Sequence, residues 1–160
     1  MDTFIYAKTT DGRDISLDGL KVESFSFHSI GKTEFIDILE IVFKSGQTVQ
    51  VINDDDKDGV DVQSRLVDVM QTDRTAIPAP KEDCLTDFNF VDGRKGLFIS
   101  YAVDFLISYM SGDKELVELH FASGKIYTVY ANSLVDESAH QRRNIVEDYI
   151  YRYEKKHSKA

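Results

Sequence analysis

The chain has 160 residues, 42% of them apolar and 29% charged, so it is long and apolar enough to form a core that a disordered chain could not form. Its net charge of −9 argues against direct nucleic-acid binding, because such proteins concentrate Lys and Arg on one face to neutralise phosphates. The only cysteine, Cys84, cannot form an internal disulfide, and we expect a soluble protein of a reducing compartment, the cytoplasm.

The N-terminal region shows the period-two alternation of antiparallel strands. Phe4 and Tyr6 lead towards the turn sequence at residues 11–13, Asp-Gly-Arg, which predicts a hairpin. Phe25 and Phe27 alternate with polar residues and predict a further strand.

A second hairpin and a helix complete this region. Residues 39–51 alternate apolar and polar side chains around the turn sequence Ser45-Gly46. The period then changes to that of a helix, with Asp61 placed as its N-cap. The apolar stripe of this helix consists of Val62, Leu66, Val69 and Met70.

Residues 71–83 read as a linker, because Pro78 and Pro80 disfavour both helix and central strand. Beyond it, the longest apolar stretch, residues 97–110, is shorter than a membrane span and contains Asp104. We interpret it as buried strand and expect no membrane association.

The second half of the chain repeats the first. At an offset of 78, residues 117–129 lie over residues 39–51 with five of 13 positions identical, including Ser123-Gly124 over the first turn. A second Asp-Gly-Arg, at residues 92–94, lies 81 positions after the first. The pattern also predicts corresponding strands and a longer C-terminal helix, which involve Phe88, Phe90, Val103, Phe105, Ile145, Val146, Tyr149, Ile150 and Tyr153. The alternative is that any two hairpins share apolar alternation and a turn glycine.

The predicted fold class is therefore α+β, with two tandem antiparallel β-meander-plus-helix units in a pseudo-two-fold arrangement. The first unit covers residues 1–77 and holds 15 acidic against 8 basic residues, a net charge of −7. The second covers residues 78–160 with a net charge of −2. The acidic character thus belongs to the first unit.

The segment from Asp54 to Gly59 contains D-x-D-x-D-G, the first half of an EF-hand calcium loop. Counting Asp54 as position 1 puts Arg65 at position 12, where the loop needs a bidentate Glu. We therefore interpret the segment as a solvated acidic loop whose last acid caps a helix. Calcium binding through another geometry is the alternative.

No other pattern indicates a cofactor, a metal or a catalytic group. The histidines have no zinc-ligand spacing, and His28 and His120 fall on polar phases of their strands, so we expect surface imidazoles. No nucleophile motif or phosphate-binding glycine loop occurs, and Cys84 has no evident companion. We predict no metal ion and no cofactor.

Two functions from different classes remain. The first is a non-enzymatic acidic protein-binding module, an inhibitor or immunity-type protein that occludes a basic surface of a nuclease, a DNA-binding protein or another enzyme. The second is a small-molecule- or metal-dependent enzyme with a site between the repeats. The first hypothesis assigns protein binding to five acidic residues, Asp54, Asp55, Asp56, Asp58 and Asp61.

Overall fold

The computed structural model describes residues 3–31, 33, 36–72, 75, 85–89, 91–134 and 144–157, with the backbone alone for residues 85–89. Within these segments the fold is α+β, rich in antiparallel sheet and with two α-helices. The chain divides into two compact units, Met1–Ile77 and Pro78–Ala160. No helix in the described segments is long and apolar enough to cross a membrane.

In unit 1, the residues that the structure describes form five antiparallel strands followed by one helix. These strands lie in the order β2, β1, β5, β4, β3. The elements are β1 (Phe4–Thr9), β2 (Asp14–Asp18), β3 (Val22–Ile30), β4 (Ile36–Phe43), β5 (Thr48–Ile52) and α1 (Val62–Gln71).

Two of the hairpin turns of unit 1, those at residues 11–13 and 45–46, lie where the sequence predicted them. Gly12 has φ +87° and Gly46 has φ +96°, left-handed conformations that glycine adopts without a steric penalty. The first turn is closed by Arg13, whose Nε lies 3.0 Å from Asp11 Oδ2. In the second turn, the backbone N–H of Phe43 donates to Gln47 O at 2.8 Å.

The core of unit 1 lies between the sheet and α1. Leu66 and Val69 of the helix are buried, and α1 packs on β1 and on a 3-10 turn, Gly19–Lys21. Gly19 makes this close approach possible, because a Cβ at this position would lie 2.6 Å from Thr3 O and 2.9 Å from Val69 Cγ1. The largest fully buried side chains of the sheet are Ile15, Leu17, Ile38, Leu39, Ile41 and Phe43.

The described residues of unit 2 also form five strands and one helix. β8, β9 and β10 form an antiparallel sheet, and β6 pairs with β7. A backbone hydrogen bond of 3.2 Å from Val91 N to Thr128 O brings this second hairpin beside β10. The elements are β6 (Leu85–Asn89), β7 (Lys95–Ile99), β8 (Val103–Ser111), β9 (Lys114–Phe121), β10 (Ile126–Tyr130) and α2 (Ile145–His157).

The sequence suggested that the apolar stretch at residues 97–110 is one buried strand, and this prediction is wrong. The stretch is split between β7 and β8 by a 3-10 turn, Ser100–Ala102, in which Val103 N–H donates to Ser100 O. Leu97 and Ile99 on β7 are exposed, whereas β8 is buried from Val103 to Ile107. This turn carries no local sequence signal, because Ser100-Tyr101-Ala102 contains neither glycine nor proline.

The described strands of the two units follow one another in the same chain order, and four of the five pairs have equal lengths, the exception being β1 with six residues and β6 with five. The bounds of β2 and β3 recur 81 residues later as β7 and β8, and those of β4 and β5 recur 78 residues later as β9 and β10. The β3–β4 and β8–β9 ladders each contain a bulge after the first residue of the earlier strand. The helices differ, because α1 has ten residues and packs on β1, whereas α2 has 13 and packs on β8.

Several sequence predictions fall outside the described residues. The predicted linker, residues 71–83, lies outside them except for Gln71, Thr72 and Thr75. The same is true of Cys84, Phe90, His140 and the side chain of Phe88.

Candidate protein-binding loop

The five predicted site residues lie in one loop of unit 1, residues 53–61, which connects β5 to α1 and is called the acidic loop below. Asp54, Asp55, Asp56 and Asp58 are exposed, and Asp61 is half-buried. The structure therefore brings the five carboxylates together, but it gives them different local roles.

Asp61 is the N-cap of α1, as the sequence predicted. Its backbone is extended (φ −80°, ψ 167°), and its Oδ1 accepts a hydrogen bond of 2.8 Å from the N–H of Ser64. Asn53 also helps to cap the helix, because its Oδ1 accepts a hydrogen bond of 2.9 Å from the N–H of Gln63. Hydrogen bonds from the Ser64 side chain and backbone hold the pKa of Asp61 below its ordinary value. The Asp61 carboxylate is thus engaged in fixing the start of the helix.

Asp56 organises the interior of the acidic loop. Its Oδ1 accepts from the N–H of Asp58 at 2.8 Å and from that of Val60 at 3.1 Å. Its Oδ2 binds Arg65 of α1, with Nε at 2.9 Å and Nη2 at 2.8 Å. The hydrogen bond from Val60, followed by Arg65, lowers the pKa of Asp56, and Asp56 in turn raises the pKa of the Arg65 guanidinium. Asp56 is therefore also a structural residue of the loop.

The remaining three carboxylates, those of Asp54, Asp55 and Asp58, lie on the outside of this framework. Among the contacts described, Asp54 Oδ1 accepts one hydrogen bond, a local one of 2.9 Å from the N–H of Asp55. Asp58 Oδ2 lies 3.5 Å from Arg65 Nη2, a looser contact than that of Asp56. These three side chains are exposed and contribute less than Asp56 and Asp61 to the hydrogen bonds that the structure describes within the loop.

The position of Arg65 bears directly on calcium. Its guanidinium forms an ion pair with the carboxylate of Asp56, which would be position 3 of an EF-hand loop. Within the part of the chain that the structure describes, no three His, Cys, Asp or Glu side chains form a group that could hold a metal ion.

An open concavity of about 270 Å³ adjoins the acidic loop. It extends the surface to residues that the sequence did not indicate, because only the sheet brings them next to the loop. Lys8 and Asp14 there form an ion pair of 2.7 Å across the β1–β2 hairpin. The lining of the concavity includes Tyr6, Lys8, Asp14, Asp54, Asp55 and Asp56.

The expectation of surface histidines is correct for His28 and wrong for His120. His28 is exposed on β3, but His120 is 9% exposed and stacks on Phe105 with 4.3 Å between ring centroids. Its Nε2 lies 3.1 Å from Glu118 Oε1. The error arose because β9 carries buried residues on both faces, so strand alternation did not identify a solvated one.

No protein-family model, curated protein or solved structure matches the chain. The acidic loop is the feature of the described residues that combines clustered charge with a fixed geometry. That geometry presents several carboxylates from a backbone held by its own hydrogen bonds, an arrangement suited to a cationic surface.

Proposed function

We propose that the chain is a non-enzymatic protein-binding module whose acidic loop docks on a basic surface of a partner protein. The observation that carries the proposal is the division of roles within the loop. Asp56 and Asp61 hold the backbone in place, and Asp54, Asp55 and Asp58 face solvent. A partner with a cationic groove, such as a nuclease, a DNA-binding protein or another enzyme, would be occluded by this loop, as by an inhibitor or an immunity-type protein.

Preorganisation supports this function. A loop already fixed by hydrogen bonds loses little conformational entropy when it binds, so more of the interaction energy contributes to affinity. Clustered exposed carboxylates also attract a cationic partner over distance and raise the rate of encounter. Arg side chains of the partner could bind these carboxylates with two parallel hydrogen bonds each. We expect Tyr6 in the adjoining concavity to add apolar contact at the rim of the interface.

The experiment begins with capture of the partner from lysate at low and at high salt. Association and dissociation rates are then compared for the natural chain and for a triple variant, Asp54→Asn, Asp55→Asn and Asp58→Asn. We expect association at low salt to slow by about tenfold or more, with a shallower salt dependence and a nearly unchanged dissociation rate.

A matched control neutralises three exposed aspartates elsewhere, Asp68→Asn, Asp92→Asn and Asp113→Asn. It changes the net charge by the same amount, so a specific site predicts a much smaller effect than that of the triple variant. Equal effects of the two variants would assign the acidity to solubility. The enzymatic alternative stays a prediction.

We also infer that the two units are copies of one ancestral β-meander-plus-helix unit. Support comes from the shared offsets of 81 and 78 residues, the two bulged ladders and the paired Asp-Gly-Arg turns. In the second of these turns, Arg94 Nε lies 2.9 Å from Asp92 Oδ2, which repeats the contact of the first. An experimental structure in which residues 4–52 do not superimpose on residues 85–130 would refute the duplication.

A further inference from the structure

Among the described residues of unit 1, the outer edge of β3 carries the most exposed large apolar side chain, that of Phe27. β3 has nine residues and is the last strand of its sheet, paired with β4 alone among the strands the structure describes. From Glu23 to Ile30 every residue is exposed except Phe25, which is half-buried. Phe27 is 61% exposed and Ile30 is 47% exposed.

The hydrogen bonds of β4 show which backbone groups of β3 point outwards. Phe43 and Asp37 both bond towards β5, through Phe43 N to Gln47 O and Asn53 N to Asp37 O. Because the direction alternates along a strand, Ile38, Glu40 and Val42 bond towards β3. Their register partners are His28, Ser26 and Ser24. The intervening Phe25, Phe27 and Ser29 therefore turn their N–H and C=O groups away from the sheet, where another strand could bind them.

This edge lacks the features that usually prevent strand pairing. Natural edge strands are commonly protected by Lys, Pro, a bulge or short length. Residues 22–30 contain neither Lys nor Pro, and the one carboxylate, that of Glu23, and the bulge of β3 both lie at its Val22 end, before the exposed Phe27 and Ile30. The edge is thus a nine-residue strand with which an extended strand of another chain could pair.

The charges at the two ends of β3 are of opposite sign. At the Val22 end, the backbone N–H of Lys44 donates to Lys21 O at 2.9 Å, which places two lysines together beside one exposed carboxylate, that of Glu23, so the lysines are in excess. At the Ile30 end, exposed Asp37 lies opposite Ser29, and the acidic loop begins at Asn53, which is bonded to Asp37. An antiparallel copy of the same strand would therefore bring the basic end of one molecule to the acidic end of the other.

We propose that β3 pairs antiparallel with β3 of a second copy of this chain to form a two-fold symmetric dimer. Ser26 faces Ser26 of the second copy, and Phe25 lies opposite Phe27 of the second copy on either side of the axis. Aromatic pairs directly opposite each other are among the cross-strand contacts that stabilise sheets. The pairing is isologous, so it closes as a dimer and does not propagate. It does not depend on the partner proposed for the acidic loop.

Sedimentation equilibrium of the natural chain over a wide concentration range tests the dimer. We expect a reversible monomer–dimer equilibrium that Phe27→Lys weakens by about tenfold or more, because a charge replaces the central apolar contact. The control is Leu97→Lys, which alters a side chain of equal exposure, 61%, on strand β7 of unit 2. We expect it to leave the equilibrium unchanged. A natural chain that stays monomeric, that forms species larger than dimers, or that is dissociated by Leu97→Lys would overturn the proposal.

A second measurement does not depend on how Phe27→Lys folds. In a Cys84→Ser background, Ser26→Cys would place two thiols across the axis at a non-hydrogen-bonded pair, where Cα atoms lie about 4.5 Å apart and a disulfide can form. Ser45→Cys, at the exposed β4–β5 turn, is the control. We expect mild oxidation to give a covalent dimer with Ser26→Cys much faster than with Ser45→Cys. Equal rates would refute the β3 pairing.

Discussion

Arg65 binds Asp56 across nine positions of sequence, with Nη2 2.8 Å and Nε 2.9 Å from the same carboxylate oxygen, Oδ2. The contact connects the second turn of α1 to the middle of the acidic loop. Both side chains are partly exposed, so the ion pair contributes little to global stability. Its effect is local, because Asp56 also accepts two backbone hydrogen bonds of the loop.

We predict that Arg65→Ala loosens the acidic loop without unfolding unit 1. The amide hydrogens of Asp58 and Val60 should exchange faster, since their acceptor, Asp56, loses its partner. Hydrogen-exchange mass spectrometry or NMR measures this change. Arg13→Ala, which breaks the ion pair with Asp11 at another turn, is the control and should leave these amides unaffected. Unchanged exchange in Arg65→Ala would mean that Asp56 holds these two amides without help from Arg65.

Asp61 gives a prediction about stability. Asp61→Ala removes the N-cap of α1 and should lower the free energy of unfolding by about 1 kcal/mol at neutral pH. Asp61→Asn should be nearly neutral there, because Asn caps helices about as well as Asp. Urea unfolding of the three proteins decides the point, and equal losses in both variants would contradict the capping role.

The same residue gives a pH dependence. Since the folded-state pKa of Asp61 is lowered, its ionised form stabilises the folded chain, fully so above the unfolded pKa of about 4. This stabilisation is lost as the pH falls through the folded pKa. We expect the natural chain to lose more stability than Asp61→Asn between neutral pH and about pH 3. Parallel losses in the two proteins would show that Asp61 does not contribute.

Calorimetry should show no saturable calcium binding to the acidic loop. Asp56 is occupied by Arg65, and a guanidinium beside the carboxylates repels a divalent cation. Asp56→Asn should therefore give the same featureless titration as the natural chain. A micromolar isotherm that disappears in Asp56→Asn would overturn this reading and restore the calcium hypothesis.

Gly19 is predicted to tolerate no side chain. A Cβ there would lie 2.6 Å from Thr3 O and 2.9 Å from Val69 Cγ1, so Gly19→Ala should destabilise the chain by about 2 kcal/mol. Adding Val69→Ala would relieve one of the two close contacts and should recover part of the overpacking strain, partly offset by the cavity that it creates. Thermal denaturation compares the double variant with each single variant. Simple additivity of the two changes would argue against their direct contact.

Sequence reasoning succeeded where a local signal was decisive. The glycine turns at Gly12 and Gly46 and the cap at Asp61 each depend on a few neighbouring residues, and each is found where it was predicted. The turn at Ser100–Ala102 and the burial of His120 were missed because both depend on packing from other elements. The division of roles in the acidic loop was hidden for the same reason. Five similar aspartates become distinct only when Arg65 and the helix N-terminus lie beside two of them.

The matched ladders have a consequence for folding kinetics. β3–β4 and β8–β9 each contain eight register pairs and a bulge in the same place, so a nascent chain could pair β3 with β9 and form the same number of backbone hydrogen bonds. Backbone geometry therefore does not distinguish the native partner from the wrong one. The native partner must be selected by side-chain contacts and by the length of the connecting chain, since β4 follows β3 after a short connection whereas β9 is far along the chain. Synthesis from the N-terminus favours the native choice, because β3 can find β4 before β9 exists.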